Sequence, residues 1–280
     1  MGATARQVRR FTVLVLAGDR GPQDPVSQVA GVAHKCLAKV AGTPMLERVV
    51  AALAASPSVG RIAVSLNDPS VLQQMPALAP LIEGGRLRPL QAAGSPSESV
   101  LAAVEQLGGP FPLLVTTADH ALLTPAMVEH FCAASLASGA VVTAGLTASA
   151  TLLACYPESK RTYLRFRDER YSGSNLFTLM TPAAMALPAL WRRVERQRKK
   201  PWRVAAVFGP VLLLGYLLRL FTLDQAMARI SARLGVKVAA VTMPMAEAAI
   251  DVDKAADLEL VERILKRGVQ DSAAARPSSS

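Results

Sequence analysis

The chain has 280 residues, of which 51% are hydrophobic and only 5% aromatic, and this balance excludes general disorder. The apolar content is mostly Ala, Val and Leu, which suits helices packed on a parallel sheet. The net charge of +10 favours an anionic partner: a nucleotide, a phosphorylated metabolite, nucleic acid or an anionic membrane surface. Basic and aromatic residues do not interleave as in single-strand binders, so we expect no nucleic-acid partner.

The first half of the chain alternates between apolar strand patterns and helical ones. Strands are predicted at 11–18, 61–67, 87–94, 113–116 and 140–146, and helices at 44–55, 97–107 and 125–138. Ser95 or Ser97 is expected to cap the second helix. This alternation predicts a single doubly wound, mostly parallel α/β sheet with helices on both faces.

The second half is more irregular. Segments 162–166 and 174–179 resemble strands of a hairpin or an edge, and 234–243 predicts another strand before an acidic segment and a last helix. We expect one domain over 9–267 and a disordered tail over 268–280, which is rich in Ser, Ala and Pro.

A basic and apolar helical insertion is expected at 188–222. Basic residues lie between Trp191 and Trp202, and the apolar stretch 204–218 that follows is too short to span a membrane. Three interpretations remain open: a buried core helix, a homodimer face, or a peripheral contact of 191–221 with the inner face of a membrane.

Three cysteines, Cys36, Cys132 and Cys155, are widely spaced, and no pair has the spacing of metal ligands. We expect them to be buried or half-buried thiols in a reducing cytosol. The N-terminal apolar run is too short for a signal peptide and lacks a cleavage site, so the expected location is the cytoplasm.

A loop that can bind phosphate follows the first strand. It contains Leu16, Ala17, Gly18, Asp19 and Gly21, and Arg20 and Lys35 can neutralise a triphosphate. The alternative is an ordinary turn with solvated charges, because the loop is neither a Walker A motif nor a dinucleotide fingerprint. In an open α/β sheet, ligands bind at the carboxyl ends of the strands, where this loop, the Asp119 turn and the segment 251–253 all lie.

Three segments together resemble the MobA-like nucleotidyltransferases. Residues 14–53 match the family's strand, its LAGG-type loop with an Arg, and a Lys before a Gly-x-Pro-Met-Leu element. Residues 116–125 resemble its metal-binding turn, and 251–258 resemble its acidic C-terminal segment. The match covers 11–132 and 235–265 in the family's order, and it implies the GT-A-type fold.

The resemblance also implies roles for individual residues. Arg20 and Lys35 would be catalytic, and Mg²⁺ would be held by Asp119 and Asp253 with Asp251. The nucleotide would contact the loop residues together with Ser95 and Ser99, although this serine pair also fits an ordinary helix cap. Lys160, Arg161 and Asn175 would bind the acceptor, unless they belong to a solvated basic hairpin. Asp257 is expected to cap the last helix.

The reaction implied is the transfer of NMP from an NTP, with CTP or GTP favoured, to a phosphorylated small molecule or lipid precursor. Pyrophosphate is released, and no covalent intermediate is required. A GT-A-type glycosyltransferase using an NDP-sugar, or a non-catalytic, membrane-associated nucleotide-binding protein, remains open. The chain departs from the family's pattern at Asp19, where Gly is common, at His120–Ala121, and in a longer spacer between Arg20 and Lys35.

Overall fold

The computed structural model describes residues 10–19, 21–197 and 209–274. In these ranges the strands are β1 (Phe11–Leu16), β2 (Lys39–Val40), β3 (Thr43–Pro44), β4 (Val59–Leu66), β5 (Leu87–Gln91), β6 (Leu113–Thr117), β7 (Val142–Ala148), β8 (Leu164–Arg165), β9 (Arg170–Leu179) and β10 (Val238–Thr242). The α-helices are α1 (Pro25–Ala30), α2 (Met45–Ala54), α3 (Ala79–Glu83), α4 (Pro96–Gln106), α5 (Pro125–Ser138), α6 (Ser149–Cys155), α7 (Ala186–Gln197), α8 (Pro210–Leu217), α9 (Leu223–Leu234) and α10 (Ala255–Ala274).

The main sheet has the strand order β10-β7-β9-β6-β1-β4-β5, and β8 pairs with β9 outside this row. Strands β6, β1, β4 and β5 pair in parallel, as do β7 and β10. Strand β9 runs antiparallel to both of its neighbours, β6 and β7. The short strands β2 and β3 form a separate hairpin.

Each face of the sheet is covered by different helices, because successive side chains of a strand point to opposite faces. Val13 and Val15 of β1 belong to a core cluster that includes residues of α2 and α5. Leu14, between them, belongs to a cluster that includes residues of α4 and α9. The expected mostly parallel α/β sheet with helices on both faces is confirmed.

The predicted hairpin at 162–179 forms between β8 and β9, but β9 is not an edge strand. It lies inside the sheet, although several of its side chains are polar. Their hydroxyl groups are satisfied in buried pairs: Thr178 with Thr143 at 2.6 Å and Ser174 with Thr147 at 3.0 Å. Because polar side chains usually face solvent, the sequence of β9 resembles that of a half-exposed strand although the strand is interior.

The segments that follow β1 and β6 meet at one edge of the sheet. The last residues of these strands, Leu16 and Thr117, are paired, and Ala118 N donates to Leu16 O at 2.9 Å. The C-terminal segment joins them, since Val252 N donates to Asp119 O at 3.1 Å. The convergence expected from the strand-end rule is therefore present.

Within segment 188–222, residues 188–197 are helical in α7 and 210–217 in α8, and residues 218–222 are not helical. Leucine side chains at and after α8 are more than half exposed, so this part of the segment is not a core helix; they are Leu214, Leu217, Leu218 and Leu220. None of the helices in the described ranges is long and apolar enough to cross a bilayer. The homodimer face and the peripheral membrane contact stay predictions, and 198–208 lies outside the described residues.

The last helix, α10, continues to Ala274. The disordered tail expected over 268–280 stays a prediction, and 275–280 lies outside the described residues.

The thiols give a direct test of this packing. Cys36 and Cys132 are buried in the core, whereas Cys155 is exposed. Burial, aided by Asp19, raises the pKa of Cys36 to about 12, and burial, aided by Glu129, raises that of Cys132 to about 12.

We expect an alkylating reagent at pH 8 to modify Cys155 alone in the folded protein, and all three thiols after unfolding. Peptide mass spectrometry measures this, and rapid labelling of Cys132 in the folded protein would contradict it.

Candidate active site

Lys35 lies where the strand-end segments meet. Its Nζ donates to Asp119 Oδ2 at 2.5 Å and to Asp253 Oδ1 at 3.0 Å. The side chains of Lys35 and Asp119 are largely buried, whereas that of Asp253 is 67% exposed. Burial by itself would lower the pKa of Lys35, but the two carboxylates outweigh it and raise the pKa above its ordinary value. Lys35 therefore keeps its positive charge at neutral pH.

The carboxylate of Asp119 is positioned by its own turn. Thr117 Oγ1 donates to Asp119 Oδ1 at 2.6 Å, which leaves Oδ2 for Lys35. The turn is anchored at both ends, since Thr117 is the last residue of β6 and α5 begins after the cap at Thr124. Asp119 is thus held in one orientation at the edge of the sheet.

Asp19 braces the loop that follows β1. Its Oδ1 accepts from Gly21 N at 2.8 Å, and its Oδ2 accepts from Lys35 N at 2.9 Å and lies 3.3 Å from His34 Nδ1. The side chain is 1% exposed, so these contacts replace the water that a carboxylate would otherwise bind. The residue that departs from the family's usual Gly therefore joins the start of the loop to Lys35.

The rest of the loop is closely fitted. A Cβ on Gly18 would lie 3.1 Å from Asn67 Oδ1, and Asn67 Nδ2 donates to Asp19 O at 3.0 Å. Gly21 has a φ of +66°, a conformation that favours glycine. Nucleotide binding by Leu16, Ala17, Gly18, Asp19 and Gly21 stays a prediction, and Arg20 lies outside the described residues.

Ser95 and Ser99 lie at the start of α4. Ser95 Oγ accepts from Glu98 N at 3.3 Å as the helix cap, which confirms the capping expected of it. Ser99 Oγ accepts from Ala93 N at 2.9 Å and so ties the preceding loop to the helix. Both hydroxyls serve the local fold, and their contact with a nucleotide remains a prediction.

Asp251 is enclosed by two side chains from elsewhere in the chain. Arg161 Nη1 donates to its Oδ1 at 2.5 Å, and Asn175 Nδ2 donates to its Oδ2 at 2.8 Å. Burial raises the pKa of Asp251, and the charges of Asp119 and Asp253 act in the same direction, against Arg161 and Asn175. Of the residues predicted to bind the acceptor, Arg161 and Asn175 thus contact Asp251, while Lys160 is exposed.

The structure also assigns contacts that the sequence did not predict. Thr117 and Asn67 orient the loop and the turn, and Asp257 forms an ion pair with Arg161 at 3.1 Å. His120, beside Asp119, is 1% exposed, and neither of its ring nitrogens has a partner among the described residues. Burial lowers the pKa of His120 to about 4, so the ring is neutral at pH 7. Of Thr117 and Asn67, which the sequence did not single out, only Thr117 had a local signal, a hydroxyl two residues before Asp119.

The carboxylates were also tested as ligands for a divalent cation. In the described ranges, no group of three or more His, Cys, Asp or Glu side chains is arranged to hold a metal ion. Two carboxylates, those of Asp119 and Asp253, converge on the single ammonium group of Lys35, so one cation can contact both. Mg²⁺ is commonly bound by one or two carboxylates together with phosphate oxygens and water, and this pair fits that donor set.

Residues 13–198 match the family model of the MobA-like NTP transferase domain. The chain belongs to this family. The matched region includes the loop after β1, Lys35, the Asp119 turn and the α6–β9 segment that carries Arg161 and Asn175. Membership confirms the resemblance found in the sequence, and with it the expected enzyme class, nucleotidyl transfer.

Solved structures are similar to this chain in fold. A hypothetical transferase from Thermus thermophilus is 30% identical, with a TM-score of 0.71 over 89% of this chain and 99% of that one. A 4-diphosphocytidyl-2C-methyl-D-erythritol synthase from Anaerococcus prevotii is 11% identical, with a TM-score of 0.57 over 92% of this chain and 97% of that one. A CMP:2-keto-3-deoxy-manno-octonic acid synthetase in complex with CTP is 12% identical, with a TM-score of 0.54 over 92% and 98%. The last two share the fold. No curated protein matches the chain.

The contacts of Asp19 predict a measurable stabilisation. Asp19→Ala removes a buried carboxylate that accepts two backbone N–H groups, so we expect the free energy of unfolding to fall by about 2–3 kcal/mol. Asp68→Ala is the matched control, because Asp68 also accepts a backbone N–H two residues on, but in an exposed turn. Urea titrations of both variants measure the difference, and an equal, small loss in the two would contradict the bracing role.

Proposed function

We propose that this enzyme transfers NMP from an NTP to a phosphorylated acceptor and releases pyrophosphate. The observation that carries the proposal is the cluster of Lys35, Asp119 and Asp253 at the strand ends, next to a glycine-containing loop. A nucleotidyl transfer develops negative charge around the α-phosphate, and fixed cations at that position lower the barrier. Lys35 is such a cation, because two carboxylates hold its charge in place.

The residues have separate tasks in this reaction. Lys35, with Arg20, neutralises the triphosphate, and loop N–H groups other than those bonded to Asp19 approach the phosphate oxygens. Asp119 and Asp253 would hold Mg²⁺, with Asp251 close behind; when bound, the ion supplies charge neutralisation on the triphosphate. An acceptor phosphate oxygen attacks the α-phosphorus. The bond from that phosphorus to the oxygen that it shares with the β-phosphate then breaks, which frees pyrophosphate.

CTP and GTP are the candidate nucleotides in this proposal. Two of the structures with the same fold are a diphosphocytidyl-methylerythritol synthase and a CMP-sugar-acid synthetase complexed with CTP, which supports CTP. Ser95 and Ser99 lie beside the loop, at the start of α4, where they would contact the nucleotide. The choice of nucleobase rests on backbone contacts, and the assay with each NTP described below determines it.

The acceptor side is proposed around the loop between α6 and β8. Lys160 is exposed there and is next to Arg161. Arg161 in turn donates to Asp251, which precedes Asp253 of the cluster by two residues. An acceptor phosphate near Lys160 would therefore lie within reach of the reacting phosphate. A small phosphorylated metabolite and a phosphorylated lipid precursor both offer this group.

The proposal predicts pyrophosphate release that depends on Asp119. We expect release with one NTP and one phosphorylated acceptor in the presence of Mg²⁺, and a loss of about 100-fold or more in kcat for Asp119→Asn and for Lys35→Met. The loss follows because each change removes a charge from the cluster while preserving the size of the side chain. A coupled pyrophosphate assay with each NTP and a panel of phosphorylated acceptors measures it.

Asp224→Asn serves as the matched control, since Asp224 is an exposed carboxylate in the first turn of α9, outside the cluster. Its activity should equal that of the unchanged enzyme. NDP-sugars are included in the panel, because a glycosyltransferase would release NDP and no pyrophosphate. Release of NDP, or the absence of any NTP binding by calorimetry, would overturn the proposal.

A further inference from the structure

The guanidinium of Arg161 lies between two carboxylates of the C-terminal segment. Its Nη1 contacts Asp251 Oδ1 at 2.5 Å and its Nη2 lies 3.1 Å from Asp257 Oδ1. The side chains of Arg161 and Asp257 are each 7% exposed, so water screens this pair weakly. Arg161 thus joins the loop before β8 to both ends of the segment 251–257.

Asp257 links Arg161 to the backbone of Asp253. Its second oxygen, Oδ2, accepts from Asp253 N at 3.1 Å and from Lys254 N at 3.2 Å, which also caps α10. Asp253 therefore lies on a backbone that is held through Asp257 and, beyond it, by Arg161. Its own carboxylate stays exposed and faces Lys35.

Asn175 holds the other side of Asp251 from an unusual backbone position. It has a φ of +48°, in the middle of strand β9, where the pairing with β7 shifts register. The shift occurs opposite Gly145, where a Cβ would lie 3.2 Å from Leu176 Cβ. Asn is one of the few non-glycine residues that adopt this conformation, and inside a strand it marks a local distortion of the pairing. Here the distortion directs the Asn175 amide at Asp251 Oδ2.

We propose that Arg161 and Asn175 are positioning residues that hold Asp251 and the segment 251–257, so that the Asp253 carboxylate reaches Lys35 and Asp119. Both oxygens of Asp251 are taken by these two side chains, and the carboxylates left to face the substrate are those of Asp119 and Asp253. The proposal rests on the proposed function, and it replaces acceptor binding as the task of Arg161 and Asn175.

Without this pair, the segment would carry uncompensated charge. Asp119, Asp251 and Asp253 repel one another, and Asp251 is largely shielded from water. Arg161 provides the positive charge at Asp251, and the Asn175 amide adds a donor without a further charge. Loss of either contact should let the segment 251–257 move away from Lys35.

The test uses Arg161→Gln, Arg161→Lys and Asn175→Gly in the full chain. Asn175→Gly relieves the positive φ while deleting the amide, so this variant folds even if the buried cation proves essential for stability. Arg263→Gln is the matched control, because Arg263 lies on α10, the helix that also carries Asp257, and forms an exposed ion pair with Glu158 of the loop before β8. Each protein is examined by hydrogen exchange and by pyrophosphate-release kinetics at varied Mg²⁺.

For Arg161→Gln and Asn175→Gly we expect faster hydrogen exchange in 251–257, and a concentration of Mg²⁺ at half-maximal rate that is about 10- to 100-fold higher. The KM of the acceptor should change by no more than about twofold, since a positioning residue does not touch the acceptor. Arg161→Lys should recover part of the loss, and Arg263→Gln should match the unchanged enzyme in every measurement.

Two results would overturn the proposal. One is a rise of about tenfold or more in the acceptor KM with an unchanged dependence on Mg²⁺. That result would make Arg161 an acceptor-binding residue, because its Nε has no hydrogen-bond partner among the described residues and could donate to the acceptor. The other is unchanged exchange of 251–257 in all three variants. Hydrogen exchange needs no substrate, so it tests the positioning role even if no pyrophosphate is released. Failure of the proposed function is thereby distinguished from failure of the positioning role.

Discussion

The ion pairs of Lys35 join parts of the chain that are far apart in sequence. Asp119 and Asp253 lie 84 and 218 residues from it, and each follows a different element of the fold. The cluster of Lys35, Asp119 and Asp253 has two carboxylates and one cation. The excess of one carboxylate is the same when Asp251 and Arg161 are counted as well. Like charges this close are stable only with a cation between them. The site therefore depends on Lys35 in the free enzyme, and its remaining negative charge suits a divalent ion.

The loop after β1 shows how a family pattern can be kept with a different residue. Where the family often has Gly, this chain has Asp19, whose carboxylate takes the N–H groups of Gly21 and Lys35. These two donors are consequently unavailable to a phosphate while Asp19 is in place. In the proposed reaction, phosphate binding would fall to other N–H groups of the loop and to side-chain cations, with the loop held rigid by its own carboxylate.

Much of this arrangement could be predicted from the sequence, because its signals are local. Alternating apolar strands and helices predict the parallel sheet, and the strand-end rule places the loop, the Asp119 turn and Asp253 together. The interior position of β9 could not be predicted, since the hydroxyls of Ser174 and Thr178 pair with threonines of β7, 27 and 35 residues earlier in the chain. The contact between Arg161 and Asp251 spans 90 residues and leaves no periodic pattern in the sequence.

Lys160 and Arg161 show why sequence alone cannot assign the cations of a basic protein. The two are neighbours with the same charge, yet Lys160 is exposed while Arg161 is enclosed by two carboxylates. A net charge of +10 therefore does not describe the field at the site, where the two carboxylates of Asp119 and Asp253 outnumber the one cation, Lys35, that pairs with them. Attraction of an anionic substrate depends on the cations that keep no carboxylate partner, and a count of residues cannot separate these from the cations that hold the structure together.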